Sequence, residues 1–353
     1  MTLHTMTARE LVGTWTPLPL LGPAGDQLRG SVITIGAAGT FLSVCEKGLP
    51  PWVRLGRWEH GAWEWSAAWT VPPPPNDDGA PARWSSHIDS VDSVWLDIDR
   101  LDPLRIAINR TEYQGGSHGV VVGRWGGDFE EIRSPTDSDI RFGQPIVLRG
   151  DELWSHDTSE LWHFRRSGGA WHGTSTDCTP QFCEGRDELG WVADVAPDGR
   201  WLVLDVWGCV AVFERRAAAG GGGERFAWTR TLASGGSVEA LGQTPNGLVV
   251  VYRDGEGVGV EIVLYDEDLR VIRRWAVDGG GRAGSAFIEG RRVVLHGEGV
   301  LLVFDLFAGV VTHRLVLPPE LAVRRHALSA CVRVFGGLVC VVSRGAIGVY
   351  ELA

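Results

Sequence analysis

Seven times along this chain a short apolar run ends in an aromatic residue, at Trp58, Trp125, Phe164, Phe213, Tyr265, Phe304 and Tyr350. Neighbouring copies lie 39 to 52 residues apart, except across a first gap of 67 that holds an insertion. A recurrence with this period marks an array of small units, each too small to bury its apolar face alone and stable only when stacked on its neighbours. The clearest copy is Leu301-Leu-Val-Phe-Asp305.

What each unit contains follows from its turns. Between Ser237 and Asp278, Ser237 to Leu241 reads as a strand, Pro245-Asn-Gly247 as a turn, Leu248 to Tyr252 as a second strand, Val260 to Tyr265 as a third and Val271 to Val277 as a fourth. The next unit repeats the plan, with strands at Ser285 to Ile288, Val293 to His296, Leu301 to Phe304 and Val311 to Leu317. Aligned on this template, first strands begin near Ser31, Ser93, Gln144, Trp191, Ser237, Ser285 and Ser329. Helical periodicity is nearly absent. Forty-eight Gly and eighteen Pro supply the turns that many short strands need. The expected fold is all-β: a seven-bladed β-propeller with four antiparallel strands per blade, residues 1–353 forming one domain.

The last unit is short of a strand, because the sequence stops at Ala353 just after Tyr350. The N-terminal stretch 10–18 carries Trp15, which matches the fourth-strand tryptophans Trp69, Trp228 and Trp275, so it is expected to complete the seventh blade and close the ring.

The pattern resembles the WD40-like propellers, in which a Trp-Asp pair ends the third strand. Here the pair reads Phe304-Asp305, Tyr265-Asp266, Phe213-Glu214, Tyr350-Glu351 and Trp58-Glu59, while Trp125-Gly126 and Phe164-Arg165 depart from it, and the Gly-His pair common before the first strand is missing. The aromatic is expected to pack between blades and the acid to meet a turn amide or an arginine.

Charge and composition narrow the function. A formal net charge of −11 opposes a phosphate-binding surface, so no nucleic acid partner is expected. Lys47 is the single lysine, a bias that points to a GC-rich, bacterial genome. No leader and no membrane-spanning run is visible, which gives the expectation of a soluble, cytoplasmic protein. The cysteines at 45, 178, 183, 209, 331 and 340 are scattered along a long chain, as buried thiols rather than a disulfide framework.

Chemistry finds little support. There is no Gly-x-Ser-x-Gly elbow, and Gly255-Glu-Gly-Val-Gly259 reads as a hairpin tip rather than a dinucleotide loop. Cys178 and Cys183 lack a second ligand pair, and His156, His163 and His172 fall on different strands of one blade. Asp89, Asp92, Asp97, Asp99 and Asp102 do not have the spacing of a calcium loop and read as solvated acids. Arg149-Gly-Asp151 reads as an ordinary hairpin turn. No cofactor and no metal are expected.

What remains is two long acidic loops that the repeat does not explain. One runs from the Pro72 to Pro75 run through Asp77, Asp78, His87, Asp89 and Asp92; the other spans 175–190 and holds Asp187 and Glu188. Polyproline stiffens the first. With Arg324, Arg325 and His326 these residues form the candidate partner-binding face of a non-enzymatic interaction scaffold whose protein partner carries a basic surface. The alternative is a lectin-like or hydrolytic propeller, using exposed tryptophans or the channel mouth, with Gln144 and Arg282 among its candidates.

Overall fold

The computed structural model describes residues 8–17, 31–36, 39–44, 51–73, 94–99, 101–111, 118–132, 146–156, 160–177, 193–196, 199–206, 209–217, 224–233, 236–254, 259–278, 284–297, 299–319, 321, 331–335, 337–343 and 346–352. Among them every regular element is a strand, and no helix is long and apolar enough to cross a membrane. The chain divides into two compact units, Leu20–Gln181, and Met1–Pro19 with Phe182–Ala353.

Two strands open the chain, β1 (Arg9–Glu10) and β2 (Val12–Pro17). The Leu20–Gln181 unit then forms three sheets. The first blade is β3 (Ser31–Gly36), β4 (Gly39–Val44), β5 (Trp52–Glu59) and β6 (Ala62–Trp65), with β7 (Trp69–Thr70) also on β5. The second is β8 (Val94–Ile98), β9 (Arg105–Thr111), β10 (His118–Arg124) and β11 (Phe129–Ile132), and the third β12 (Val147–Arg149), β13 (Glu152–His156), β14 (Glu160–Ser167) and β15 (Ala170–Asp177).

Four further sheets belong to the other unit. They are β16 (Ala193–Val195), β17 (Trp201–Val206), β18 (Cys209–Ala217) and β19 (Glu224–Ala233); then β20 (Gly236–Thr244), β21 (Gly247–Asp254), β22 (Gly259–Tyr265) and β23 (Val271–Asp278). The sixth is β24 (Gly284–Glu289), β25 (Arg292–Gly297), β26 (Val300–Asp305) and β27 (Val310–Val316); the seventh has only β28 (Cys331–Phe335), β29 (Leu338–Ser343) and β30 (Ala346–Glu351) from its own end of the chain. Its fourth strand is β2, antiparallel to β30 from Val12↔Glu351 to Pro17↔Ala346. These seven sheets make a seven-bladed β-propeller, and the N-terminal strand completes the last blade as its sequence predicts.

All seven marker aromatics fall at the third strand of a blade, with Trp125 directly after β10. Strands alternate their side chains between faces, so each blade buries one row against each neighbour. In the first unit Val53 and Leu55 meet Leu96, Ile106 and Ile108, while Ala107, Val120 and Val122 turn the other way, onto Leu148, Trp162 and Phe164. In the second, Trp275 and Ile262 meet Val293 and Phe304, and Val294 and Leu301 meet Val332 and Val341. Trp275 and Phe304 pack edge to face at 5.5 Å. Gly309, at φ 68°, closes the turn after Phe304; a Cβ there would lie 2.8 Å from the Trp275 indole nitrogen.

Two features depart from the repeat. The outer strand of the first blade is split, and Ser66 bridges the break: its amide donates to the Leu55 carbonyl at 2.8 Å and its Oγ accepts the Leu55 amide at 3.0 Å. The N-terminal segment also does more than fill a vacancy. Before β2 reaches the seventh blade, β1 runs parallel to β27 of the sixth, Arg9 opposite His313 and Glu10 opposite Arg314. One segment of ten residues, 8–17, thereby joins the outer edges of two blades.

Candidate functional site

Asp77, Asp78, His87, Asp89, Asp92, Asp187, Glu188, Arg324, Arg325 and His326 all lie outside the described residues, as do Gln144, Arg282, Cys178 and Cys183. Residues 74–93 join the outer strand of the first blade to β8, 178–192 join β15 to β16, and 322–330 join the β27 side of the sixth blade to β28.

The root of the first loop is built by Arg110. On β9 this residue follows Ile106 and Ile108 on the face toward the first blade, and its side chain is only 1% exposed. A guanidinium is always charged, so burying it demands partners for its donors. Nη2 meets Glu131 Oε1 at 2.5 Å, and Nε donates to the Gly119 carbonyl at 3.3 Å. Nη1 donates to the Pro73 carbonyl at 2.9 Å and the Pro72 carbonyl at 3.2 Å. Burial pushes the guanidinium pKa down, and the charge and hydrogen bond of Glu131 oppose that shift.

The root of the 322–330 loop is apolar. Leu321 is fully buried among Val294, Leu301 and Val332, and its amide donates to the Pro318 carbonyl at 2.9 Å. Beneath it lies His296, on the same face of β25 as Val294 and 0% exposed. Neither ring nitrogen has a hydrogen bond of ordinary geometry. Burial pushes its pKa down to about 4, with the Leu321 backbone opposing the shift.

The acids of the second blade correct a sequence expectation. Asp97 and Asp99 do alternate with Leu96 and Ile98, but they are buried rather than solvated. Asp97 Oδ2 accepts the Leu148 amide at 2.8 Å, and Asp99 Oδ1 accepts the amides of Leu101 and Gly150, each at 2.8 Å. The acceptors they offer satisfy amides of the third blade, including one in the Arg149-Gly150-Asp151 turn. Arg105 adds to that joint through the Gly150 carbonyl and its ion pair with Asp99. The tripeptide sits in the hairpin between β12 and β13, as expected, and its glycine is engaged on both sides. Asp102 caps the neighbouring turn, accepting the Leu104 amide and pairing with Arg124 at 2.6 Å.

The acid after the third-strand aromatic behaves as the repeat implies. Asp305 Oδ1 accepts the amides of Phe307 and Ala308, and its Oδ2 meets Arg291 at 3.1 Å. Asp266 accepts the Arg270 amide at 2.8 Å, and Glu214 pairs with Arg200 and Arg216. These are turn fasteners, not a reactive set.

The remaining candidates disperse. His163 stacks on Trp154 at 5.1 Å and faces Glu152 at 3.4 Å, whereas His172 is exposed on the next strand. Among the described residues no group of three or more His, Cys, Asp or Glu is placed to hold a metal ion. Trp154, Trp162 and Trp275 are buried, and Trp52, Trp58, Trp63, Trp65, Trp69, Trp125, Trp171, Trp201 and Trp228 are half-buried. Cys209 is half-buried and Cys340 buried.

No protein-family profile matches the chain, and no curated protein does. Solved structures do. Kluyveromyces lactis Hsv2 aligns with a TM-score of 0.55 at 11% identity, over 90% of this chain and 91% of that one. The β-propeller domain of Myceliophteria thermophila Cps50 (Swd1) aligns with a TM-score of 0.55 at 11% identity, over 93% and 99%. Saccharomyces cerevisiae Sqt1 gives 0.52 at 14% identity, over 91% and 83%. At such identities the likeness concerns fold alone, and together with the seven sheets and their third-strand aromatics it gives the chain the fold of a seven-bladed β-propeller.

Proposed function

We propose that this chain is a non-enzymatic interaction scaffold, a single domain over residues 1–353 whose acidic loops receive a protein partner with a basic surface. The observation that carries this reading is the contrast between frame and loops. Eight described acids outside the loops serve the frame: Asp97, Asp99, Asp266 and Asp305 cap backbone amides, and Glu130, Glu131, Glu214 and Glu239 pair with arginines. Asp77, Asp78, Asp89, Asp92, Asp187 and Glu188 fall instead in blade-to-blade connections longer than the blade plan requires. Long inserts on a rigid repeat are where such scaffolds carry function, and the WD40-like fold of the similar structures agrees with that role.

Capture of tagged protein from its source cells, followed by identification of what co-purifies, tests the reading. A stable protein partner supports it. Glycan binding without a protein partner supports the lectin-like alternative instead.

A further inference from the structure

The outer strand of a blade leaves one row of backbone N–H and C=O groups unpaired, a template on which a further strand can add. The sixth blade covers part of that row, because β1 lies on β27. The fifth does not. Its outer strand β23 pairs with β22 and, among the described residues, with no other strand. Two of the five large apolar side chains exposed among the described residues stand at its start, Val271 at 44% and Ile272 at 53%. Ile272 is passed over in the ladder with β22, where Tyr265 faces Val271 and Leu264 faces Arg273. The irregularity is confined there, and Arg273 to Asp278 runs as regular strand.

We infer that β23 is a self-association edge: two copies of this chain pair through it, antiparallel, about a two-fold axis at Ala276. Charge selects both the occupant and the register. Such an axis stands perpendicular to the joined sheet and keeps every side chain on its own face, so a residue is opposed only by itself or by one an even number of positions away. With Ala276 opposite its own copy, Trp275 opposes Val277 and Arg274 opposes Asp278, once on each side of the axis. Asp278 is exposed and has no ion pair among the described residues. Arg274 gives Nη1 to Glu261 at 3.0 and 3.1 Å, which leaves Nη2 for the carboxylate of the second chain. Ala276, exposed and small, lets the two backbones approach at the axis. Centring the pair on Trp275 would leave both charges unmatched. Centring it on Arg274 would set like charges face to face, which destabilises a ladder.

Sedimentation equilibrium of the natural chain reads the pairing. A reversible monomer–dimer equilibrium is expected, and a monomer at every concentration up to ~1 mM overturns the inference. Arg274→Glu and Asp278→Arg each set like charges at both pairs, and each is expected to weaken the dimer at least about tenfold. Mixed in equal amounts, the two variants again place opposite charges at both pairs. A dimer is therefore expected to return in the mixture at concentrations where each variant alone is monomeric. Dimers that withstand both substitutions, or no recovery on mixing, overturn the inference. A second readout needs no variant: in the natural chain, amide exchange across 274–278 is expected to slow as concentration rises, while exchange across 225–231 of β19 does not. Equal dependence at the two edges, or none at either, overturns the inference even if neither variant folds.

Discussion

The carboxylate of Asp99 accepts the amide of Gly150 at 2.8 Å, so an acid just after the first strand of the second blade holds a turn of the third. Asp97 does the same for Leu148 two residues earlier. Both are buried. Removing either carboxylate strands a buried amide, at a cost of roughly 1–3 kcal/mol. Asp97→Ala and Asp99→Ala are expected to lower the urea midpoint, and Asp99→Asn, which keeps an acceptor oxygen, to lower it less. Equal midpoints for the alanine variants and the natural protein contradict the buried-cap reading.

Phe304 and Phe307 stand three residues apart with opposite fates. Phe304 is 0% exposed against Trp275, and Phe307 is 65% exposed beyond the turn. Phe304→Ala is expected to cost about 3–5 kcal/mol, the usual range for emptying an aromatic site. Phe307→Ser belongs with surface changes of under about 0.5 kcal/mol. Denaturant titration of the two side by side checks the contrast.

Acid is expected to unfold the sixth and seventh blades partly through His296. Its folded pKa is about 4 against an ordinary 6.5. Between those values the unfolded chain binds the proton and the folded chain does not, so stability is fully present above about pH 6.5 and falls as pH drops toward 4. The difference corresponds to about 3 kcal/mol. His296→Leu removes this part of the slope, so the pH dependence of unfolding between 4 and 6.5 should flatten relative to the natural protein. Identical slopes contradict the assignment.

The closing strand offers a fourth check. A Cβ on Gly13 would collide with the Val349 carbonyl and with Tyr350. Gly13→Val is expected to weaken the pairing of β2 with β30 and destabilise the fold by about 1–3 kcal/mol, as other overpacked sites do. Faster amide exchange confined first to 346–351 would identify the seventh blade as the place where opening begins.

Much of the fold was legible because it is repeated. The apolar run and its aromatic mark every third strand, and the described first strands begin at or within three residues of the expected positions, from Ser31 to Cys331. The vacancy in the last blade located β2. What a single sequence hides is set by neighbours distant in the chain. Asp97 and Asp99 look like the polar side of an alternating strand, and only amides some 50 residues onward, at Leu148 and Gly150, make that side buried. The pairing of Arg9 and Glu10 with β27 spans two residues, too few to leave a pattern. Arg110 left one signal, an arginine continuing the alternation of Ile106 and Ile108, but its acceptors at Pro72 and Pro73 belong to another blade. The candidate loop residues themselves belong to no repeat, so neither period nor register speaks for them.

Receipt of a basic protein partner by the acidic loops is the role proposed for this chain. It is tested most directly by capturing proteins from source cells with the natural chain and with a folded variant carrying Asp77→Arg, Asp78→Arg, Asp187→Arg and Glu188→Arg, and quantifying each recovered protein. A partner held in stoichiometric amount by the natural chain and lost from the variant is the predicted result. Equal recovery by both chains would contradict it.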